Sequence, residues 1–231
     1  MALIECRNLT KQYGSVLALN QVSLNIDPGR IVGLLGPNGS GKTTFIKLAN
    51  GLLTPTMGSI TIAGQRPGVE TKRIVSYLPD REFLPRDMNI GNLIRMYQDF
   101  FPDFNAQKAV DMFRTLDFLP DQKIRHMSKG MLEKTQLVLC MSREAQVYFL
   151  DEPIGGVDPA MRDFILRTII TNYNPNAVVL ISTHLIADIE NVLDDVIFLK
   201  QGSVFLYDSA EHLRSVNGKS IDELFREVFR C

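Results

Sequence analysis

The sequence predicts an α/β fold with a mostly parallel sheet, an antiparallel β part at the N-terminal side and an inserted helical subdomain. Short apolar runs typical of strands buried on both faces alternate with helical patterns, and they span residues 30–36, 147–151, 177–182 and 196–200. Residues 18–26 and 58–64 alternate apolar and polar side chains, as half-buried strands do. Residues 83–144 carry no strand pattern, so we expect this segment to be helical.

Capping residues mark where the expected helices begin. Asn105 precedes an amphipathic pattern over residues 105–116, and Asp158 precedes a helix with proline in its first turn. Ser128 is placed to cap a third helix. Ser220 and Glu223 have the spacing of a capping box at the start of a C-terminal helix, which we expect to pack on the chain's own core; a role in a dimer or in partner binding is the alternative.

These patterns divide the chain into three parts. Residues 1–82 and 145–210 are expected to form a discontinuous core. Residues 83–144 are expected to form the helical subdomain, and residues 211–231 a C-terminal helical tail.

Composition excludes several classes of protein. The chain has 231 residues, of which 45% are hydrophobic and 22% charged, with a net charge of −1. These values are typical of a globular domain and favour neither a nucleic acid nor a membrane surface as partner. Cys6, Cys140 and Cys231 are odd in number and lack metal-type spacing, which suits core or tail residues in a reducing compartment. Without a signal pattern or a long apolar run, we expect a cytoplasmic protein.

The stretch "GPNGSGKTT" at residues 36–44 fits the phosphate-binding loop Gly-x₄-Gly-Lys-Thr. It follows a buried strand and opens a helix, the context in which backbone N–H groups surround phosphate oxygens. Lys42 would contact the β- and γ-phosphates and Thr43 would bind Mg²⁺; a chance match is the alternative. The expected ATP-binding residues are Gly36, Asn38, Gly39, Ser40, Gly41, Lys42, Thr43 and Thr44.

Two later strands end in polar residues at the same expected sheet edge. Asp151 ends the run "VYFLD", where a carboxylate can orient Mg²⁺, and Glu152 can polarise a water for attack on the γ-phosphate. His184 follows the run "LIST" and is expected to contact the γ-phosphate. Solvated charges and a structural histidine are the alternatives.

The order of these motifs resembles the ATP-binding cassette ATPases, the nucleotide-binding subunits of ABC transporters, over nearly the whole chain. The resemblance implies a P-loop NTPase core, with Tyr13 of "KQYG" stacked on the adenine and His184 as the switch histidine. It identifies "GGVDP" at residues 155–159, with Asp158, as the D-loop. It also identifies "MSKGM" at residues 127–131 as the signature sequence.

In that family two cassettes pair head to tail, and the signature of one completes the ATP site of the other. The resemblance therefore implies that Ser128, Lys129 and Gly130 contact the ATP of a second ATPase subunit, and we expect the pair to be a homodimer. A helix start with free N–H groups suits an anion. A plain capping serine is the alternative.

Two departures from the family pattern qualify this resemblance. Lys129 and Met131 replace Gly and Gln in the signature, and Asp80 in "YLPD" replaces the usual Gln. Asp80 could approach Mg²⁺; capping the following turn or facing the membrane partner is the alternative. Both variants resemble the bacterial single-cassette exporter branch, whose separate membrane subunits would hold the chain at the inner face of the membrane. Candidate exposed contacts to those subunits are Phe83, Leu84 and Met88, in a segment (residues 80–104) whose side chains we mostly expect to form the hydrophobic interior of the helical subdomain.

The sequence thus predicts an ATP- and Mg²⁺-dependent ATPase subunit of an ABC transporter, with export as the expected direction. One rival is a non-transport cassette ATPase acting on ribosomes or nucleic acid, although the chain has one cassette and no basic linker. Another is an ATP-dependent binding module that does not hydrolyse ATP. The sequence does not predict the transported substrate.

Overall fold

Two sheets and the helices that cover them make up residues 2–229, the part of the chain that the computed structural model describes. The smaller sheet is formed by β1 (Ile4–Tyr13), β2 (Val16–Ile26) and β4 (Met57–Ile62). β1 lies in the centre and pairs antiparallel with both neighbours. The predicted antiparallel part at the N-terminal side is therefore confirmed.

The larger sheet is mostly parallel, as predicted. Its strands are β3 (Arg30–Leu35), β5 (Val75–Leu78), β6 (Val147–Asp151), β7 (Val178–Thr183), β8 (Asp195–Lys200) and β9 (Ser203–Ser209). Their spatial order is β5-β6-β7-β3-β8-β9. β9 runs antiparallel to β8, and the other neighbours are parallel.

The position of β6 inside the larger sheet explains why its sequence is continuously apolar. Tyr148 and Leu150 belong to a hydrophobic cluster on one face of the larger sheet, together with side chains from the second half of the chain. Val147 and Phe149 belong to a cluster on the other face, which also includes the inner side of the smaller sheet. Because successive side chains of a strand point to opposite faces, a strand covered on both faces needs apolar residues throughout.

The helices include those that Asn105, Ser128, Asp158 and Ser220 are predicted to cap. They are α1 (Lys42–Ala49), α2 (Val69–Lys72), α3 (Ile90–Phe100), α4 (Ala106–Thr115), α5 (Lys129–Met141), α6 (Pro159–Asn172), α7 (Ile186–Ile189), α8 (Ala210–Asn217) and α9 (Ile221–Phe229). Residues Ile124–His126 and Glu190–Val192 form short 3₁₀ turns. The side chains of Asn105, Ser128 and Asp158 each accept a hydrogen bond from the first turn of their helix.

The C-terminal helix α9 packs on the chain's own core, as predicted. Ser220 and Glu223 exchange hydrogen bonds between side chain and backbone, forming the expected capping box. Phe225 is buried, and its ring centroid lies 5.6 Å from that of Phe198 on β8. Helix α9 therefore closes one end of the main core.

Helices α3, α4 and α5, which lie between β5 and β6 in the sequence, share a separate hydrophobic cluster. Leu84 belongs to this cluster and is only 8% exposed, so its prediction as an exposed contact is wrong: its apolar side chain fills the core of the helical segment. Met88 is partly buried against the same cluster, whereas Phe83 is 40% exposed.

Two of the three cysteines are buried thiols. Burial raises the pKa of Cys6 to about 12 and that of Cys140 to about 11, so both stay protonated at neutral pH. Cys231 lies outside the described residues. Within residues 2–229, every helix is too short or too polar to cross a membrane.

Candidate ATP site

The loop between β3 and α1 has a backbone that requires glycine. Gly41 has a φ of 109°, and a Cβ atom there would lie 2.5 Å from the carbonyl oxygen of Ala18 on β2. Gly36 is equally crowded, since a Cβ atom would lie 2.5 Å from the carbonyl oxygen of Leu199. Asn38 and Gly39 are exposed at the tip of the loop. The loop thus leads tightly into the first turn of α1, which contains Thr43 and Thr44 and where N–H groups lack helical partners.

Lys42 is buried beneath this loop. Its Nζ donates to the carbonyl oxygens of Gly36 at 2.7 Å and Pro37 at 3.3 Å. The same Nζ lies 3.2 Å from Oε1 of Glu152. The ammonium is therefore held at the centre of the loop by oxygen atoms from two elements.

Asp151 ends β6 directly beside β7 and faces the start of α1. Its Oδ1 accepts hydrogen bonds from Ser182 Oγ at 2.6 Å and Thr43 Oγ1 at 3.2 Å. Its Oδ2 is buried and has no hydrogen-bond partner among the described residues. Burial raises the pKa of the Asp151 carboxyl, the hydrogen bonds from Ser182 and Thr43 lower it, and the charges of Asp80 and Glu152 raise it again.

This arrangement fits a magnesium ion. A carboxylate oxygen without a partner beside a hydroxyl group offers the hard oxygen donors that Mg²⁺ prefers. Within residues 2–229, no group of three or more His, Cys, Asp or Glu side chains is placed to hold a metal. Asp151 and Thr43 offer one carboxylate and one hydroxyl. Such a small set of protein ligands suits Mg²⁺, because this ion keeps several of its waters and also binds substrate phosphates.

Glu152 follows Asp151 in an unusual backbone conformation. Its φ is 50°, in the left-handed region that residues with a side chain rarely adopt. Its N–H group donates to both the carbonyl oxygen and the Oγ of Ser182, at 3.0 and 3.1 Å. The Glu152 Oε2 lies 3.0 Å from Nδ1 of His184, just after β7. Lys42, Glu152 and His184 therefore form one connected cluster.

Asp80 follows β5 and lies at the side of this cluster. Asp80, Lys129, Glu133 and Glu152 line one cavity of about 110 Å³ between the end of β5, the start of α5 and the end of β6. Three separate parts of the chain therefore meet around this cavity.

Two predicted ATP contacts, Ser40 and Tyr13, differ in their exposure. Ser40 Oγ is buried and has no hydrogen-bond partner among the described residues, so an acceptor such as a phosphate oxygen would satisfy it. Tyr13 is 45% exposed at the closed end of the β1–β2 hairpin, where it pairs with Val16. Its ring lies 5.2 Å below the ammonium group of Lys11. The exposed ring is available for stacking.

The start of α5 faces the start of α6. Ser128 is exposed, and its Oγ accepts a hydrogen bond of 3.3 Å from the N–H of Met131 in its own helix. A Cβ atom on Gly130 would lie 3.3 Å from Cε of Met161. Asp158 caps α6 through a hydrogen bond of 3.0 Å. The predicted signature and D-loop residues are therefore neighbours on one exposed surface.

Ser182 is a site residue that the sequence patterns do not predict. It is fully buried in β7, opposite Asp151 in the parallel register. A polar residue near the end of an otherwise apolar strand, one position before "TH", is the signal that could have identified it.

These features define an ATP-binding cassette, and the comparisons with known proteins agree. The family described as "ABC transporter" matches residues 19–155. The "Uncharacterized ABC transporter ATP-binding protein YdbJ" of Bacillus subtilis is 30% identical over 230 residues, covering 96% of this chain and 74% of that protein. The "Nod factor export ATP-binding protein I" of Cupriavidus metallidurans is 26% identical over 209 residues, covering 87% of this chain and 69% of that protein.

A solved structure extends the similarity to the whole fold. The "Structure of ATP binding subunit of ABC transporter" superposes with a TM-score of 0.84 at 29% identity, covering 98% of this chain and 99% of that one. The chain belongs to the ABC transporter family, as one of its ATP-binding subunits.

Proposed function

We propose that the chain hydrolyses ATP with Mg²⁺, that two cassettes close head to tail around two shared ATP sites, and that this drives export through separate membrane subunits. The observation that carries the proposal is the Lys42–Glu152–His184 cluster beside Asp151 and Thr43. A module that only binds ATP needs a phosphate loop but has no need of a carboxylate poised next to it.

In the proposed reaction, the loop N–H groups and Lys42 bind the phosphates. Thr43 and Asp151 would hold Mg²⁺, which would neutralise phosphate charge and orient the phosphate oxygens. Glu152 accepts the proton of the attacking water, and His184 orients the Glu152 carboxylate and the γ-phosphate. Tyr13 stacks on the adenine base.

The proposed second cassette explains the surface at the start of α5. Ser128, Lys129 and Gly130 would contact the γ-phosphate of the partner's ATP, and Asp158 would lie at the interface between the subunits. Exposure of Ser128 and a 70% exposed Lys129 side chain support this role. We propose a homodimer, because one chain offers both halves of the shared site.

The proposed membrane partner would bind an apolar groove beside the helical segment. Val69, Phe83 and Phe100 are exposed hydrophobic side chains, and all three line a cavity of about 610 Å³. Asp80, Phe83 and Tyr97 line a neighbouring cavity of about 360 Å³. We propose that these cavities hold a segment of the membrane subunit at the inner face of the membrane, and that residues 83–144 act as the subdomain that transmits ATP binding to it.

Export as the direction is supported by the name of the Cupriavidus relative, "Nod factor export ATP-binding protein I". It is also supported by Lys129, Met131 and Asp80, the residues that resemble the exporter branch. A net charge of −1 offers no general attraction for ribosomal RNA or another nucleic acid. Co-purification of the chain with its membrane subunits, and not with ribosomes, would support transport over the ribosome-acting alternative.

Phosphate release tests hydrolysis directly. The wild-type chain with Mg²⁺ and ATP is expected to release phosphate, and Glu152→Gln is expected to lower the rate by about 10²–10⁴-fold, because the substitution removes the proton acceptor but keeps the side-chain shape. A wild-type chain that binds ATP and releases phosphate no faster than Glu152→Gln would contradict hydrolysis and favour the binding module.

A further inference from the structure

We propose that Ser182 is a positioning residue that aligns both acidic side chains of the site, Asp151 for the metal and Glu152 for the water. The inference rests on the proposed function. It adds to the site a residue that lies outside the phosphate loop and outside the cluster of Lys42, Glu152 and His184. Ser182 contacts neither carboxylate oxygen of Glu152; it acts through the Asp151 carboxylate and the Glu152 backbone.

The hydroxyl of Ser182 links the two residues by opposite hydrogen-bond roles. Its Oγ donates to Asp151 Oδ1 at 2.6 Å and accepts from the Glu152 N–H at 3.1 Å. A hydroxyl group has one donor and two acceptor sites, and a carboxylate only accepts, so both bonds form together without competition. The parallel register, which places Ser182 opposite Asp151, supplies this geometry.

The hydrogen bond from Ser182 to Oδ1 determines which oxygen of Asp151 remains without a hydrogen-bond partner. Oδ1 is occupied by Ser182 and Thr43, whereas Oδ2 is buried without a partner among the described residues. Without the Ser182 donor, the carboxylate could rotate about its χ2 torsion, which is broad and roughly two-fold. The open oxygen would then no longer have a fixed direction toward the metal.

The bond to the Glu152 N–H stabilises a strained backbone. A non-glycine residue in the left-handed region persists only when its surroundings hold it there. Glu152 has a φ of 50°, and both hydrogen bonds recorded for its N–H go to Ser182. This backbone conformation directs the Glu152 side chain toward Lys42 and His184.

A buried serine elsewhere in the sheet provides a matched control. Ser76 on β5 is 1% exposed, and its Oγ donates to the carbonyl oxygen of Cys140 at 2.9 Å. Ser76→Ala therefore removes one buried hydroxyl donor from the same sheet without touching Asp151 or Glu152.

The test compares Ser182→Ala, Ser182→Cys and Ser182→Thr with Ser76→Ala. Affinity for a fluorescent ATP analogue is measured with Mg²⁺ and with EDTA, alongside kcat, KM and Tm. For the Ala and Cys variants we expect the gain in affinity on adding Mg²⁺ to shrink and kcat to fall by about 10–100-fold, the usual effect of losing a group that orients a metal ligand. Affinity in EDTA should stay within about twofold, and Ser182→Thr, which keeps a hydroxyl, should restore kcat.

Ser76→Ala is expected to lower Tm while leaving the response to Mg²⁺ unchanged. The proposal is overturned if Ser182→Ala changes only Tm, as Ser76→Ala does. If Ser182→Ala does not fold, the Cys and Thr variants decide. Equal kcat and an equal gain in affinity on adding Mg²⁺ in these two variants would overturn the proposal. Should the wild type release no phosphate, the proposed hydrolysis fails, whereas the Mg²⁺-dependent affinity still decides the role of Ser182.

Discussion

Glu152 lies between Lys42 and His184, with its two carboxylate oxygens 3.2 Å from Nζ and 3.0 Å from Nδ1. Lys42 also donates to the carbonyl oxygens of Gly36 and Pro37. An ammonium group has three donors, so a bound phosphate must replace some of these partners. We therefore expect ATP binding to release Glu152 from its ion pair before a water molecule is activated.

Asp80 supplies the first prediction at this scale. Burial and, to a smaller extent, the charge of Asp80 raise the pKa of Asp151, which indicates that two negative groups face the same region. Mg²⁺ would relieve this repulsion, so Asp80→Ala is expected to raise the Mg²⁺ concentration that gives half-maximal phosphate release, whereas Asp80→Gln should retain substantial activity.

Titrations with and without the membrane subunits separate the two roles of Asp80. An unchanged Mg²⁺ titration of the isolated Asp80→Ala subunit, with a defect only in the assembled transporter, would mean that Asp80 faces the membrane partner. That outcome is possible because Asp80 also lines the cavity of about 360 Å³ beside Phe83.

At the scale of elements, the sequence predicts the strands that are buried on both faces. It does not predict the shorter or irregular strands. β3, β6, β7 and β8 have continuous apolar sequences because helices or the smaller sheet cover both faces. β1 loses its alternation at Asn8, which has a φ of 48° where the register shifts. β5 has four residues, and β9 is an edge strand with partly exposed side chains, so neither gives a periodic signal.

The same limit applies to individual residues of the site. The spacing within "GPNGSGKTT" and the ends of β6 and β7 predict the loop and the positions of Asp151, Glu152 and His184. Ser182 could not be predicted in the same way, because its role depends on the register between β6 and β7, which the sequence does not state. The prediction that Leu84 is an exposed contact is wrong because an apolar residue in a loop has no periodicity from which to judge its burial.

Arg143 joins the helical segment to the larger sheet and supplies a prediction about stability. It is 3% exposed, forms a two-bond ion pair with Asp103, and donates to the carbonyl oxygens of Lys72, Arg73 and Val75. Arg143→Met is expected to lower the free energy of unfolding by about 3–5 kcal/mol, because it leaves a largely buried carboxylate without its partner.

Urea unfolding measures this loss against an exposed control. Arg73 pairs with Glu70, and both side chains are more than half exposed. Arg73→Met is expected to change the free energy of unfolding by less than about 1 kcal/mol. If both substitutions change the free energy of unfolding by the same amount, the contacts of Arg143 between the helical segment and the larger sheet do not stabilise the protein.

The start of α5 carries the next prediction. Ser128→Arg places a bulky side chain on the proposed interface and leaves the phosphate loop intact, so ATP affinity of the monomer should change little while dimerisation and phosphate release collapse. Ser209→Arg is the matched control, since Ser209 caps α8 through the N–H of His212. Equal losses of nucleotide affinity and activity in Ser128→Arg would mean that Ser128 mainly stabilises its own subunit.

At the scale of the whole molecule, two surfaces among residues 2–229 are suited to an anion. One is the phosphate loop with Lys42, and the other is the exposed start of α5 with Ser128 and Lys129. Ser128 bonds to its own helix. In the proposed dimer, each ATP contacts the phosphate loop of one subunit and the start of α5 of the other. The shared site therefore requires a second cassette.

Sedimentation velocity of Glu152→Gln tests this shared site most directly. With hydrolysis blocked and ATP still bound, saturating ATP and Mg²⁺ are expected to convert the monomer into a dimer. Adding Lys42→Ala or Ser128→Arg to Glu152→Gln should keep it monomeric, the first by weakening ATP binding and the second by obstructing the interface. A Glu152→Gln protein that binds ATP with Mg²⁺ and yet sediments as a monomer would contradict the account.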